Sequence, residues 1–125
     1  MADKKFVFIL TTSESRPDLP AGALQLATNM KANDAVLDVF LMDEAALLAK
    51  PGYAEALAAR QKPGGFSPAH TLLKTLVEDF GVKLYVCASC VKPSGLDPKN
   101  LAFGAVVMPG SYLGELLMER EGLTF

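Results

Sequence analysis

The sequence predicts a three-layer α/β/α domain with a mainly parallel sheet of about five strands, of the flavodoxin-like or Rossmann-like type. Its 125 residues suit one domain spanning residues 1–125, and half of them are hydrophobic, enough to bury a core. Apolar runs rich in β-branched and aromatic residues alternate with segments whose apolar residues recur at helical spacing. Because strands separated by helices pair in parallel through right-handed crossovers, we expect helices on both faces of the sheet.

The first half of the chain contains two predicted strands. Residues 5–11 (KFVFILT) form a continuous apolar run, as expected for a strand covered on both faces. A helix follows over about residues 20–31, where leucine, alanine and methionine recur at helical spacing. Residues 35–42 (AVLDVFLM) are the second strand. Short helical segments are then predicted at residues 43–50 (DEAALLAK) and 53–60 (YAEALAAR).

The second half begins with the one plain loop, residues 61–69 (QKPGGFSPA). Ser67 and Pro68 form a good start for the next helix, which ends at Gly81, a typical residue just beyond a helix C-terminus. The remaining elements are a third strand at 82–87, a fourth at 105–108, a last helix at 110–119 and a candidate terminal strand at 123–125.

Charge and hydropathy exclude several classes of function. The net charge is −2 and the predicted pI is 5.3, so the sequence shows no electrostatic footprint for nucleic acid or an anionic membrane. Near the start, only residues 6–10 are strongly apolar, whereas a membrane-spanning helix needs about 20 apolar residues and a secretory signal also needs a longer run. We therefore expect a cytoplasmic protein whose cysteines are kept reduced.

The predicted topology nominates the site residues, because ligands bind outside the carboxyl ends of the strands in open parallel sheets. Cys87 and Cys90 follow the third strand and are the candidate catalytic residues. The candidate substrate-binding or anion-binding residues at the same edge are Thr11, Thr12, Ser89, Gly110 and Ser111. For Gly110 the alternative is that it simply begins the last helix, with glycine suited to a tight turn.

The cysteines lie in VKLYVCASCVK, residues 82–92, and the chain has no others. The small residues after Cys87 can begin a helical turn whose N–H groups face its sulfur, and Lys92 adds a cation. Since the thiolate is the reactive form, we expect the pKa of Cys87 below its reference of about 8.5 and its sulfur accessible at the sheet edge. The alternative is that Cys87 is only a small buried hydrophobe.

Four segments together resemble the DsrE/DsrF-like sulfur-relay family. They are KKFVFILTTS at 4–13, GVKLYVCASC at 81–90, Gly95-Leu96, and LAFGAVVMPGSYLGELLMEREGLTF at 101–125. In family members that act in sulfur transfer, the cysteine ending the third strand carries a persulfide, and that position matches Cys87. The resemblance implies sulfur donor and acceptor proteins as partners. It also implies a homo-oligomer, a trimer or hexamer, with the cysteine near a subunit boundary.

The chain departs from the family pattern after the cysteine. Many members carry arginine before the following glycine, whereas this chain has Lys92, Pro93 and Ser94. This difference leaves the recognised acceptor or anion open. The loop at 61–69 is a candidate cover for the cysteine, because Gly64-Gly65 supplies flexibility and Phe66 an apolar face. The alternative is an ordinary surface connection.

Other functions remain open at the level of sequence. The C-x-x-C spacing of Cys87 and Cys90 also fits a dithiol redox protein, although no Trp-Cys-Gly-Pro flank is present. Cys90 can also attack a persulfide on Cys87, which releases sulfide and leaves a disulfide. A non-catalytic oligomeric binding subunit is the remaining class, since the last helix is apolar on more than one face.

Cofactors and metals are not expected. A zinc site usually needs four ligands, and His70 is the only histidine that could join the two thiols. The segment after the first strand, TTSES, lacks the glycines of a nucleotide-binding fingerprint. The sequence therefore predicts thiol chemistry without a bound cofactor, and the alternative left open is a zinc site between subunits that takes two further thiols by symmetry.

Overall fold

The computed structural model describes residues 4–125 and confirms the α/β class. Its sheet has five strands, all parallel, in the order β4-β3-β2-β1-β5. The strands are β1 (Lys5–Leu10), β2 (Val36–Leu41), β3 (Leu84–Cys87), β4 (Val106–Met108) and β5 (Glu121–Thr124). The α-helices are α1 (Asp18–Ala32), α2 (Tyr53–Ala58), α3 (Ala69–Lys74), α4 (Ala88–Val91) and α5 (Gly110–Glu119).

Three further helical segments complete the fold. Asp43–Ala49, predicted as a short helix, is a 3-10 helix. Thr75–Asp79 continues α3 as one stretch of π-helix, and Gly81 follows with a φ of 65°, the left-handed conformation that favours glycine beyond a helix end. Ala102–Gly104 forms a single 3-10 turn before β4. No helix within residues 4–125 combines the length and apolarity needed to cross a bilayer.

The two faces of the sheet are covered unequally. Successive residues of β1 alternate between them, so Phe8 and Leu10 join a large core with α1, α2 and α3, and Val7 and Ile9 join a smaller one with α5. We name these the wide face and the α5 face. The unequal cover follows from the strand order. From β1 to β4 the chain moves in one direction across the sheet, so right-handed crossovers place the connecting helices on the same face. The connection from β4 to β5 runs in the opposite direction, so its helix, α5, lies on the other face.

Two strands have bounds that differ from those the sequence predicts. The third strand begins at Leu84 rather than residue 82, and the terminal strand is Glu121–Thr124 rather than 123–125. Glu121 and Gly122 are poor strand formers, but they pair in parallel with Phe6 and Val7 of β1. Pairing with a central strand therefore decides this element, and local propensity does not.

One ion pair lies in a largely buried position between β2 and the end of α5. The guanidinium of Arg120 lies 3.2 Å from the Asp38 carboxylate and donates a second bond to the backbone oxygen of Phe6. The Lys83 N–H also donates to Asp38. The bonds of Arg120 therefore tie the end of α5 to β2 and β1, and a buried charge that loses its partner keeps its full desolvation cost.

We expect Asp38→Ala to lower the free energy of unfolding by about 3 kcal/mol, because it leaves the Arg120 charge unpaired in a largely buried site. Denaturant unfolding followed by circular dichroism measures the change. The control is Glu14→Ala, which breaks the exposed Glu14–Arg60 pair, and it should cost less than about 1 kcal/mol. Equal losses in the two variants would contradict this assignment.

Candidate functional site

The two cysteines lie at the carboxyl end of β3. Cys87 is the last residue of the strand and, with extended backbone angles, immediately precedes the single turn of α4 that carries Ser89 and Cys90. The helical turn expected after Cys87 is therefore present, but the Cys87 side chain accepts no capping hydrogen bond from the N–H groups of that turn. The structure brings both thiols and Ser89 to the sheet edge where the sequence predicts the site.

Cys87 is more buried than the sequence analysis expects. Its side chain is only 5% exposed and belongs to the α5-face core, together with Phe40 and Tyr85. Met108, its neighbour in register on β4, and Tyr112 of α5 pack against the same core. The expectation of an exposed sulfur is wrong for this chain considered alone, because β4 and α5 close the α5 face beside the strand end.

Cys90 is the outer thiol. It is partly exposed, packs against the core that contains Cys87, and its Sγ accepts a hydrogen bond of 3.2 Å from the Asp43 backbone N–H. It also lines a cleft of about 400 Å³ with Glu44, Ser89 and Ser94 among its other walls. A reagent that enters this cleft meets Cys90 before Cys87.

The surroundings of Cys90 disfavour its thiolate. Burial is the largest influence and raises the pKa of the thiol, and the nearby Cys87 thiol acts in the same direction. The Asp43 N–H favours the anion but does not offset burial. Cys90 is therefore protonated at neutral pH, and its attack on another sulfur is limited by loss of this proton.

Glu44 forms the rigid wall of the cleft, a role that the sequence analysis does not assign. Its Oε1 accepts bonds from the Ser13 N–H (2.6 Å), the Ser15 N–H (2.9 Å) and the Ser15 hydroxyl (2.8 Å). The hydroxyl of buried Ser13 in turn bonds the Glu44 carbonyl and the Tyr53 hydroxyl, both at 3.0 Å. Burial opposes ionisation of Glu44, but the donors from Ser15 and Ser13 outweigh it and lower the pKa. The sequence signal for this contact was the segment TTSES after β1 together with the acidic residue Glu44 after β2.

Of the four remaining candidates, two follow β1 and two follow β4, the strand beside β3. The Thr11 hydroxyl and N–H both donate to the Phe125 backbone oxygen, so Thr11 joins the ends of β1 and β5. Thr12 is half-buried near that point. Gly110 and Ser111 are exposed at the start of α5, beyond the end of β4. These four residues stay predictions.

The candidate cover does not lie over Cys87. Phe66 of the 61–69 loop packs against Gly22 of α1, on the wide face, whereas Cys87 belongs to the α5 face. Residues 4–125 also contain no group of three or more histidine, cysteine or acidic side chains placed to hold a metal. The chemistry of the site therefore depends on two thiols, an N–H donor and a cleft.

The chain is similar to known proteins over nearly its whole length. The family model described as DsrE/DsrF-like matches residues 4–125. The solved structure of the ychN protein from Escherichia coli is similar, with 22% identity, a TM-score of 0.78, and cover of 98% of this chain and 99% of that one. No curated protein matches the sequence.

Two structures described as proteins of unknown function have the same fold. MTH1491 from Methanobacterium thermoautotrophicum is 16% identical with a TM-score of 0.66, and the match covers 98% of this chain and 100% of that one. BT1422 from Bacteroides thetaiotaomicron is 17% identical with a TM-score of 0.66, and the match covers 98% and 95%. At these identities, the similarity shows the fold alone.

Alkylation by iodoacetamide should distinguish the thiols. We expect Cys90 to react faster than Cys87 because it lines the cleft, and its rate should keep rising at pH values where free N-acetylcysteine has levelled off, since its pKa is raised. Peptide mass spectrometry across pH measures both rates. Faster labelling of Cys87, or a Cys90 profile at or below that of the free thiol, would contradict the geometry.

Proposed function

The chain belongs to the DsrE/DsrF-like family, and from this premise we propose that it is a sulfur-relay protein that carries a persulfide on Cys87. The observation that carries the proposal is the position of Cys87 as the last residue of β3, beside a second thiol that opens into a cleft. The reaction suits the reducing cytoplasm, where thiols persist, and we place the protein there.

The proposed loading step needs no external oxidant. The Cys87 thiolate attacks the outer sulfur of a donor persulfide, R–S–SH, and a new sulfur–sulfur bond forms as the donor bond breaks. The donor leaves as the thiolate R–S⁻, and Cys87 holds the group as Cys87–S–SH. Delivery to an acceptor thiolate is the same exchange in the opposite sense. The partners are therefore a sulfur donor protein and a sulfur acceptor protein.

Burial of Cys87 supports a carrier role. Cys87 is only 5% exposed, so a persulfide on it is shielded from stray thiols in solution, and the cleft lined by Cys90 is the approach that we propose for the donor. The cost is slower exchange, because the donor must displace part of this cover. A carrier that releases sulfur only to a docked acceptor requires such protection.

Cys90 supports a second candidate function, a dithiol step. Its thiolate can attack the inner sulfur of Cys87–S–SH, which forms the Cys87–Cys90 disulfide and releases hydrosulfide, HS⁻. The proximity of the two thiols favours this reaction, and the raised pKa of Cys90 slows it at neutral pH. On this proposal Cys90 limits the lifetime of the persulfide.

Self-association accompanies the proposed relay. Val106 lies on the α5 face because its register partner, Tyr85, belongs to the core on that face. Val106 is 53% exposed, and Met118 at the end of α5 is 86% exposed. With a single helix on this face, a second copy of the chain is the partner that we propose for it. A trimer or hexamer built this way would bring the subunit boundary close to Cys87.

Incubation with a cysteine desulfurase and cysteine should add the mass of one sulfur atom to the protein. Cys87→Ser should abolish the adduct, and Cys90→Ser should extend its lifetime, because the attacking thiol is lost. Intact-protein mass spectrometry without reductant measures both. An adduct that persists in Cys87→Ser would sink the carrier proposal, and an unchanged lifetime in Cys90→Ser would remove the dithiol step.

Light scattering at micromolar concentration should give the mass of a trimer or hexamer. Met118→Glu places a charge on the α5 face and should lower the mass. The matched control is Leu26→Glu, which charges an exposed apolar residue of α1 on the other side of the sheet. A monomeric wild-type protein, or equal effects of both changes, would refute the proposed interface.

A further inference from the structure

A second cleft lies at the carboxyl ends of β1 and β5, apart from the cysteines. Its volume is about 580 Å³, and its walls come from the start of α1, the 61–69 loop and Phe125. No residue lines both this cleft and the one beside Cys90. Its size falls within the range of about 300–1,000 Å³ that is usual for small-molecule sites.

Topology places this second cleft where open parallel sheets bind ligands. Thr11 directly follows β1 and Phe125 directly follows β5, and the Thr11 N–H and hydroxyl both donate to the Phe125 backbone oxygen. Phe125 also lines the second cleft, which therefore lies outside the carboxyl ends of these two strands. Ligands of open parallel sheets bind at this edge.

Hydrogen bonds hold the loop side of the second cleft in place. The Lys62 N–H donates to the Asp18 carboxylate at 3.0 Å. The Gln61 side chain accepts the Ala69 N–H at 3.0 Å and donates to the Ser67 carbonyl at 3.3 Å, so it spans the loop. The wall is therefore fixed by specific contacts before any ligand arrives.

An exposed aromatic ring is seated at this cleft by a glycine inside α1. Phe66 is 50% exposed, and a Cβ at Gly22 would lie 3.0 Å from its ring. Glycine destabilises a helix interior relative to alanine, and here its absent side chain makes room for the ring. With Leu19 and Phe125, the ring gives the cleft an apolar surface.

Two cations complete the lining. Among the described residues, the side chains of Arg16 and Lys62 make no ion pair, and they outnumber the one acidic side chain of the lining, Asp18, whose carboxylate accepts the Lys62 N–H. The Phe125 backbone oxygen is occupied by Thr11. We propose that this second cleft binds a small organic carboxylate with an apolar body, whose carboxylate meets Arg16 and Lys62 and whose body lies against Phe66.

Three matched probes test this proposal on the full chain: 4-phenylbutyrate, its neutral amide 4-phenylbutyramide, and the cation 4-phenylbutylamine. Titration followed by ¹H–¹⁵N NMR should shift the amides of the non-proline residues in 16–23 and 62–66. The carboxylate should bind about fivefold more tightly than the amide, with the difference shrinking as salt is added. The amine should bind most weakly.

Variants distinguish the contribution of the two cations from that of the apolar contact, and binding at the second cleft from binding at the sulfur site. Arg16→Gln combined with Lys62→Gln should reduce the affinity for the carboxylate to that for the amide, because only the apolar contact remains. Lys92→Gln and Cys87→Ser, which lie outside the second cleft, should leave binding unchanged. The proposal would be overturned by equal affinities of the three probes or by tighter binding of the amine. It would also be overturned by shifts confined to other residues, or by no binding at millimolar concentration.

Discussion

Parallel pairing of β1, β2 and β3 in one register brings the ends of all three strands to a single edge of the sheet. Leu10 pairs with Leu41, which pairs with Val86, so the segments that follow them leave the sheet side by side. Residues as far apart in sequence as Ser13, Glu44 and Cys90 then meet around one cleft. The cleft beside Cys90 depends on this alignment, because its walls come from the segments that follow β2 and β3.

Unequal cover of the sheet sets the character of the thiol site. The wide face is packed by three helices and holds most of the core, whereas the α5 face has one helix and a small core that includes Cys87. Cys87, the proposed persulfide carrier, therefore belongs to the less densely covered side of the molecule. Its sulfur is buried, but on the relay proposal a docking partner needs to displace only contacts of β4 and α5 to reach it.

The two clefts are chemically distinct although they share the same sheet edge. The cleft beside Cys90 has Asp43 and Glu44 in its wall, with Glu44 held ionised by serine donors. The cleft near α1 has Arg16 and Lys62, one acidic side chain, Asp18, and the ring of Phe66. Because no residue lines both clefts and their charged side chains differ, the proposed sulfur transfer and carboxylate binding are compatible on one chain.

The sequence by itself determined the alternation of strands and helices, the helical turn after Cys87 and the position of that cysteine at a strand end, because apolar runs and small residues act locally. Only the tertiary structure decided that Glu121 and Gly122 join β1, that Glu44 clamps Ser13 and Ser15, and that Cys87 is buried. Each of these features depends on contacts between residues distant in the chain. Such contacts are set by strand order and by which helix covers which face, and neither leaves a periodic signal in the sequence.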